Sequence, residues 1–228
     1  MDGPAQTEFY LKFLGMKSLL KSNIIGLGAL LGLSFALISI TNHYILTINF
    51  YNNSGDLFSG IPDQESAVYE SLQKWVYIGT ASYLIVKLFL IALVLYTALY
   101  LSDQAVSFGK IFNITVLAEF VFIIPAVLKI IWFHHGYPNG TILDWHRMYV
   151  LSALSLFESA PADWYYPLQT LNVFEIIYWF LLAFGIYKVT KMDYDTSLRL
   201  VLFSYVPSLF IWIATVAFCT IMMFPNNG

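Results

Sequence analysis

Charge is what this sequence has least of. Of 228 residues only 11% are charged, 11 lysines and arginines against 14 aspartates and glutamates, for a net charge of −3. Soluble domains carry about 25%. Basic residues this few and scattered build no surface for nucleic acid, which excludes that class of partner. Cysteine is nearly missing too: Cys219 stands alone in an apolar run, so neither an intrachain disulfide nor a cysteine metal cluster is possible. There is no G-x-S-x-G elbow, phosphate-binding glycine loop, HExxH helix or serine beside an evident base, so no catalytic residue and no cofactor is expected.

Apolar side chains fill the space that charge leaves. The chain is 59% hydrophobic and 18% aromatic, with mean hydropathy +0.70. That is an integral membrane protein, with the lipid bilayer as its first partner and no soluble substrate in evidence. A hydrocarbon core of about 30 Å takes roughly 20 apolar residues at about 1.5 Å each. Five runs reach that length: 24–50, 75–101, 111–133, 171–189 and 200–224. The expected fold is an all-α integral membrane protein of five transmembrane helices with amphipathic interfacial segments. Residues 24–224 form a single membrane domain, preceded by a cytoplasmic amphipathic segment, 1–23, and followed by a short outer tail, 225–228. The first run is too long for a signal-peptide core, so the amino end is expected to be retained.

Lysine and arginine placement predicts orientation, because positive flanks stay on the cytoplasmic side. Lys12, Lys17, Lys21, Lys110, Lys188, Lys191 and Arg199 fall on one side, and Lys74 and Arg147 on the other. The amino end is therefore expected inside and the carboxyl end outside. The outer loops, 51–74 and 134–170, then hold Asp56, Asp63, Glu65, Glu70, Asp144, Glu158 and Asp163 and make an acidic face. Before the first span, Phe9, Phe13, Met16, Leu19 and Leu20 recur at helical spacing among lysines, the pattern of a helix in the inner interface. Trp145, Tyr149, Trp164, Tyr165 and Tyr166 suit a headgroup belt, read as an interfacial helix plus turn.

Within the spans a few ionisable residues stand out. Lys87 lies about 18 Å down a helix from Trp75, near mid-membrane by the 1.5 Å rise. Glu119 lies about 12 Å into the neighbouring antiparallel span from their shared loop, and Lys87 about 20 Å from the same side. Long side chains close that difference. Such a pair reads either as a proton or ion relay or, more simply, as a neutral pair that fixes helix packing. Lys129 and Glu175 sit at similar depth near the outer ends of spans three and four, where they either pair or face headgroup water. Lys188 and Lys191 obey the inside-positive bias and favour a helix carboxyl terminus. His134, His135, Asp144 and His146 cluster in the outer loop, with zinc-ligand chemistry but without helical ligand spacing, so interface histidines are the plainer reading. Gly28 and Gly32, four apart, permit close helix approach within the bundle or to another subunit. Pro125 and Pro207 fall inside spans, where kinks are tolerated if neighbours satisfy the freed carbonyls.

The runs "VSFGKIFNITVLAEFVFIIPAVL" and "LNVFEIIYWFLLAFGIYKVTKMDYDTSLRLVLFSYVPSLFIWI" resemble the bacterial branch of the Yip family, named for Rab-GTPase-interacting proteins. The resemblance lies in the loop before span three, the aromatic-rich span four entered through L-N-V-F, the exit around Gly185, and a short polar loop before a closing span. It covers the second half of the chain, and the first half by span count. It implies a non-enzymatic protein with no catalytic residue to carry over. The long acidic amino domain of eukaryotic members has no counterpart here, so the role implied is the bacterial one, in the inner membrane, accompanying exporters of the ATP-binding-cassette type. The leading expectation is thus an accessory or assembly partner of other integral membrane subunits, such as a transporter permease. The alternatives are a small ion- or proton-coupled transporter or channel using Lys87 and Glu119, and a membrane metalloenzyme using the outer histidines.

Overall fold

The structure is a computed structural model, and it describes residues 4–53, 65–157 and 160–223. Asp56, Asp63, Glu158 and the tail 225–228 lie outside the described residues, as do the side chains of residues 1–21 and of Glu65. Nine α-helices are described: α1 (Pro4–Tyr44), α2 (Ile48–Asn53), α3 (Glu65–Leu101), α4 (Phe108–Glu119), α5 (Ile123–Gly136), α6 (Ile142–Arg147), α7 (Tyr165–Thr170), α8 (Val173–Val189) and α9 (Tyr194–Met223). Among the described residues four stretches are long and apolar enough to cross a membrane: Ser22–Tyr44, Val68–Leu101, Phe108–Gly136 and Tyr194–Met222. The chain is a multi-pass membrane protein of all-α build. Helices suit it because lipid supplies no partner for a bare peptide group. Hydroxyls inside the helices are satisfied the same way, Ser34 donating to the Leu30 carbonyl, Thr41 to Leu37 and Ser204 to Leu200.

Two segments differ from the sequence expectation. The run 24–50 is divided: α1 stops at Tyr44, the Ile45 and Leu46 amides both turn back to the Thr41 carbonyl, and the Thr47 hydroxyl accepts from the Phe50 amide to start α2. Hydropathy sees neither of these local bonds. The stretch 144–167, expected as one interfacial helix and turn, is broken into short pieces. Thr141 and Asp144 close a capping box on α6. Leu151 takes a left-handed φ of 54°, and Ser152 pairs with Asn172 as a short antiparallel bridge. These bonds pull the segment across the end of the bundle.

Four helices close into a ring, α3 on α4, α4 on α8, α8 on α9 and α9 on α3, while α1 leans on α4 and α5 from outside. The core fills the ring at the end away from α6 and α7. Leu95, Leu99, Ile111, Tyr178, Leu182, Ile186 and Val201 are buried there. With lipid outside as apolar as leucine, close packing rather than solvent exclusion holds such helices. Small residues make it possible: Ala92, Ala183 and Ser197 are fully buried. The tightest approach is at Gly185, where any Cβ would meet the Ile114 side chain. Gly28 and Gly32 by contrast face open space. Of that glycine stripe Gly26 is the packed member, against Val116.

Towards the other end the ring loosens. After Glu119 the chain tightens into a 3-10 turn, Phe120–Phe122, before α5 begins. Pro125 explains the turn: it has no N–H to donate, and its ring clashes with the carbonyl four residues back. Beyond it α5 packs on α1 rather than on α3, which leaves a wedge between α3, α5 and α9.

Candidate functional site

That wedge is a cavity of about 580 Å³, roofed by the segment between α6 and α8. Drug-sized ligand sites run about 300–1,000 Å³. Lys87, Glu119, Lys129 and Glu175, one from each of α3, α4, α5 and α8, all line it. Their arrangement follows from the elements that carry them.

Lys87 and Glu119 form a direct ion pair. Glu119 is buried and Lys87 mostly so, and the ammonium also lies 4.3 Å from the centre of the Phe122 ring and 5.8 Å from that of Tyr178. Tyr178 is fully buried and presents its hydroxyl towards Glu119. The pair fastens α3 to the end of α4 at the level where the 3-10 turn starts.

Glu175 sits in the first turn of α8, where Asn172 caps the helix by accepting from its amide at 2.9 Å. Its carboxylate turns inward instead of back to the cap. One oxygen, Oε1, accepts from the Tyr205 hydroxyl at 2.7 Å and from the Trp179 indole at 3.0 Å. The charged groups that act on Glu175 are Lys87 and Glu119. It does not pair with Lys129.

Lys129 has no carboxylate beside it among the described residues. Its ammonium faces two rings of the roof, Trp145 at 4.2 Å and Tyr149 at 5.1 Å. Rings attract a desolvated cation by about 2 kcal/mol without neutralising it. Behind them Asp144 is occupied with Thr141, whose backbone and side-chain hydrogen bonds hold its carboxylate below the usual range. Burial, then Lys129, pushes the His146 imidazole down. Burial raises the Tyr149 hydroxyl, which faces Lys87 across the same space. No three His, Cys, Asp or Glu side chains come together to hold a metal ion among the described residues, so the outer histidines do not assemble a centre there.

The cavity is not sealed. Tyr83, Val86, Leu90 and Trp212 line it and are 40–54% exposed. Tyr83 to Leu90 fall midway along the apolar stretch Val68–Leu101, so the opening lies at hydrocarbon depth. The sequence alone did not mark Tyr205, Tyr149 or Tyr166 as cavity residues. Trp179 did carry a signal, since four residues after Glu175 it shares its helix face.

The chain matches no family model, no curated protein and no solved structure.

Proposed function

We propose that this is a non-enzymatic, five-span membrane carrier that binds a small molecule in the cavity between α3, α5, α8 and α9. The fifth span is α8. It has 17 residues, about 25 Å at 1.5 Å per residue and at the short end of the spanning range. A crossing is needed there to bring the chain from the end of α5 to the start of α9. With lysine-rich ends inside, the roof and the cavity mouth belong to the outer half of the membrane.

The observation that carries the reading is the open cavity itself. Ion pairs retained only to fix packing need no space beside them, whereas here four ionisable side chains from four helices border one void at bilayer depth. Intramembrane charges facing a cavity are the usual mark of a substrate or ion path. In this reading Lys87 and Glu119 are the ionisable centre, and Tyr205 and Trp179 hold Glu175 in place.

The test is to wash the purified protein, denature it and identify what it releases, alongside a variant whose cavity is filled, Leu209→Trp. Release of a compound by the native chain and not by the variant supports a binding cavity. Identical release from both sinks it.

A second reading is favoured by α1. Ile24, Ile25, Leu33 and Ile40 are exposed along it, and Gly28 and Gly32 touch nothing. That face fits an accessory subunit docked against a larger membrane complex, the role of the Yip-like exporter partners that the second half of the chain resembles. Gentle detergent extraction that brings down an ATP-binding-cassette permease supports it. Repeated recovery of the protein alone counts against it.

A further inference from the structure

The cavity has two unlike ends, and their chemistry selects an occupant. At the roof stands Lys129, a desolvated ammonium held between two aromatic faces with no counter-ion among the described residues. Gln169 and Asn172 also line the cavity. Along α3 the wall becomes hydrocarbon, through Val86, Leu90 and Val94. Between these ends Lys87 pairs with Glu119, and the second carboxylate, Glu175, is held by two hydrogen bonds away from Lys129. Among the described residues, what the roof lacks is a negative charge beside Lys129.

The mouth adds a second constraint. Because Tyr83, Val86 and Leu90 are exposed on the apolar middle of α3, a molecule enters sideways from the hydrocarbon. A free anion does not travel there, whereas an amphiphile does. We propose that the cavity takes up an anionic lipid, seating its phosphate or carboxylate headgroup against Lys129 beneath Trp145 and Tyr149 and laying a chain along Val86, Leu90 and Val94. The proposal deepens the carrier reading and rests on the cavity being the binding site. Glu175 helps to orient the guest, since its charge keeps the headgroup at the roof and leaves the deeper wall to the chain.

The experiment uses the full-length protein reconstituted in phosphatidylcholine alone or with phosphatidylglycerol, and counts the lipids retained per chain by native mass spectrometry. The native chain is expected to retain phosphatidylglycerol at least about tenfold more strongly than phosphatidylcholine, a difference of about 1.4 kcal/mol. Lys129→Met abolishes the preference and Lys129→Arg keeps it. Leu209→Trp, filling the void, abolishes retention of both. Equal retention of the two lipids by the native chain, or an unchanged preference in Lys129→Met, overturns the anionic assignment. Retention by Leu209→Trp at the native level overturns the cavity as the site, which is a distinct failure. Inorganic phosphate in lipid-free detergent separates the two sources of a headgroup anion. Saturable binding of phosphate as tight as that of phosphatidylglycerol overturns the lipid, and weak or no binding supports it. A circular-dichroism melt of each variant shows that the comparison is made between folded chains.

Discussion

Lys87 and Glu119 meet where α4 gives way to the 3-10 turn, so α3 is fastened at the level where α5 starts to lean away from it. The pair therefore ties α3 to the end of α4 on the wall of the cavity.

Its energetics follow from burial. Removing one partner of a buried pair leaves an uncompensated charge and costs about 3–5 kcal/mol, whereas replacing both with neutral groups of similar shape is often tolerated. Lys87→Met alone is expected to lower thermal stability in detergent sharply. Lys87→Met combined with Glu119→Gln is expected to recover most of the loss. A double variant as unstable as the single would mean that the two side chains join α3 to α4 by packing alone.

How much of this was legible in the sequence depends on which physics each feature uses. The long helices were, because the bilayer imposes a length that apolar runs must meet. The Lys87 and Glu119 pairing was, because depth along two antiparallel helices is simple arithmetic. The cavity was not: it exists because Pro125 turns α5 towards α1, and a proline announces a break but not its direction. Lys129 was read against Glu175 by depth, yet the aromatic side chains assigned to a headgroup belt reach it first. Gly28 and Gly32 carried the spacing of a helix contact, while the close approach within the chain is at Gly185, whose partner Ile114 lies 71 positions earlier and no local pattern names it.

Gly185 gives the second prediction. A Cβ there would overlap the Ile114 side chain, and overpacking of this kind costs about 1–3 kcal/mol. Gly185→Ala is expected to destabilise the bundle, and Ile114→Ala placed with it to restore part of the loss. Gly28→Ala, facing open space, leaves the melting temperature unchanged. A Gly185→Ala variant that melts with the native chain would show that α4 and α8 are free to move apart.

The roof has its own pH dependence, and two groups set it in the same direction. His146 is held below its ordinary value of 6.5, first by burial and then by Lys129, so the folded roof prefers the neutral imidazole. Its contribution is whole above 6.5 and is lost as pH falls through the depressed folded value. Asp144 is held below its ordinary 3.8 by Thr141, and its contribution goes at lower pH still. Acidification is expected to loosen the roof in two steps, followed through Trp145 fluorescence with the other tryptophans replaced by phenylalanine. His146→Gln removes the upper step and Asp144→Ala the lower. A roof that instead tightened on acidification would reverse the sign and refute both assignments.

The carboxylate of Glu175 supplies the last prediction. Both of its donors reach the same oxygen, Tyr205 from α9 and Trp179 from α8 itself. They differ in what they connect. Trp179 is bound within one helix, so its loss leaves the ring closed. Tyr205 joins α8 to α9 through a buried contact, and its ring also packs edge-on against Tyr178 at 5.6 Å. A hydrogen bond to a charged group contributes about 1.5–3 kcal/mol. Tyr205→Phe keeps the ring and removes only the hydroxyl, so it should cost about that much, and it should cost far less in a Glu175→Gln background, where the acceptor is no longer charged. Trp179→Phe should show weaker coupling to α9, read as unchanged hydrogen exchange in α9 while α8 loosens near its start. If Tyr205→Phe cost the same in both backgrounds, the hydroxyl would not be spending its bond on Glu175, and the inward turn of that carboxylate would have to be held by the shape of the cavity wall.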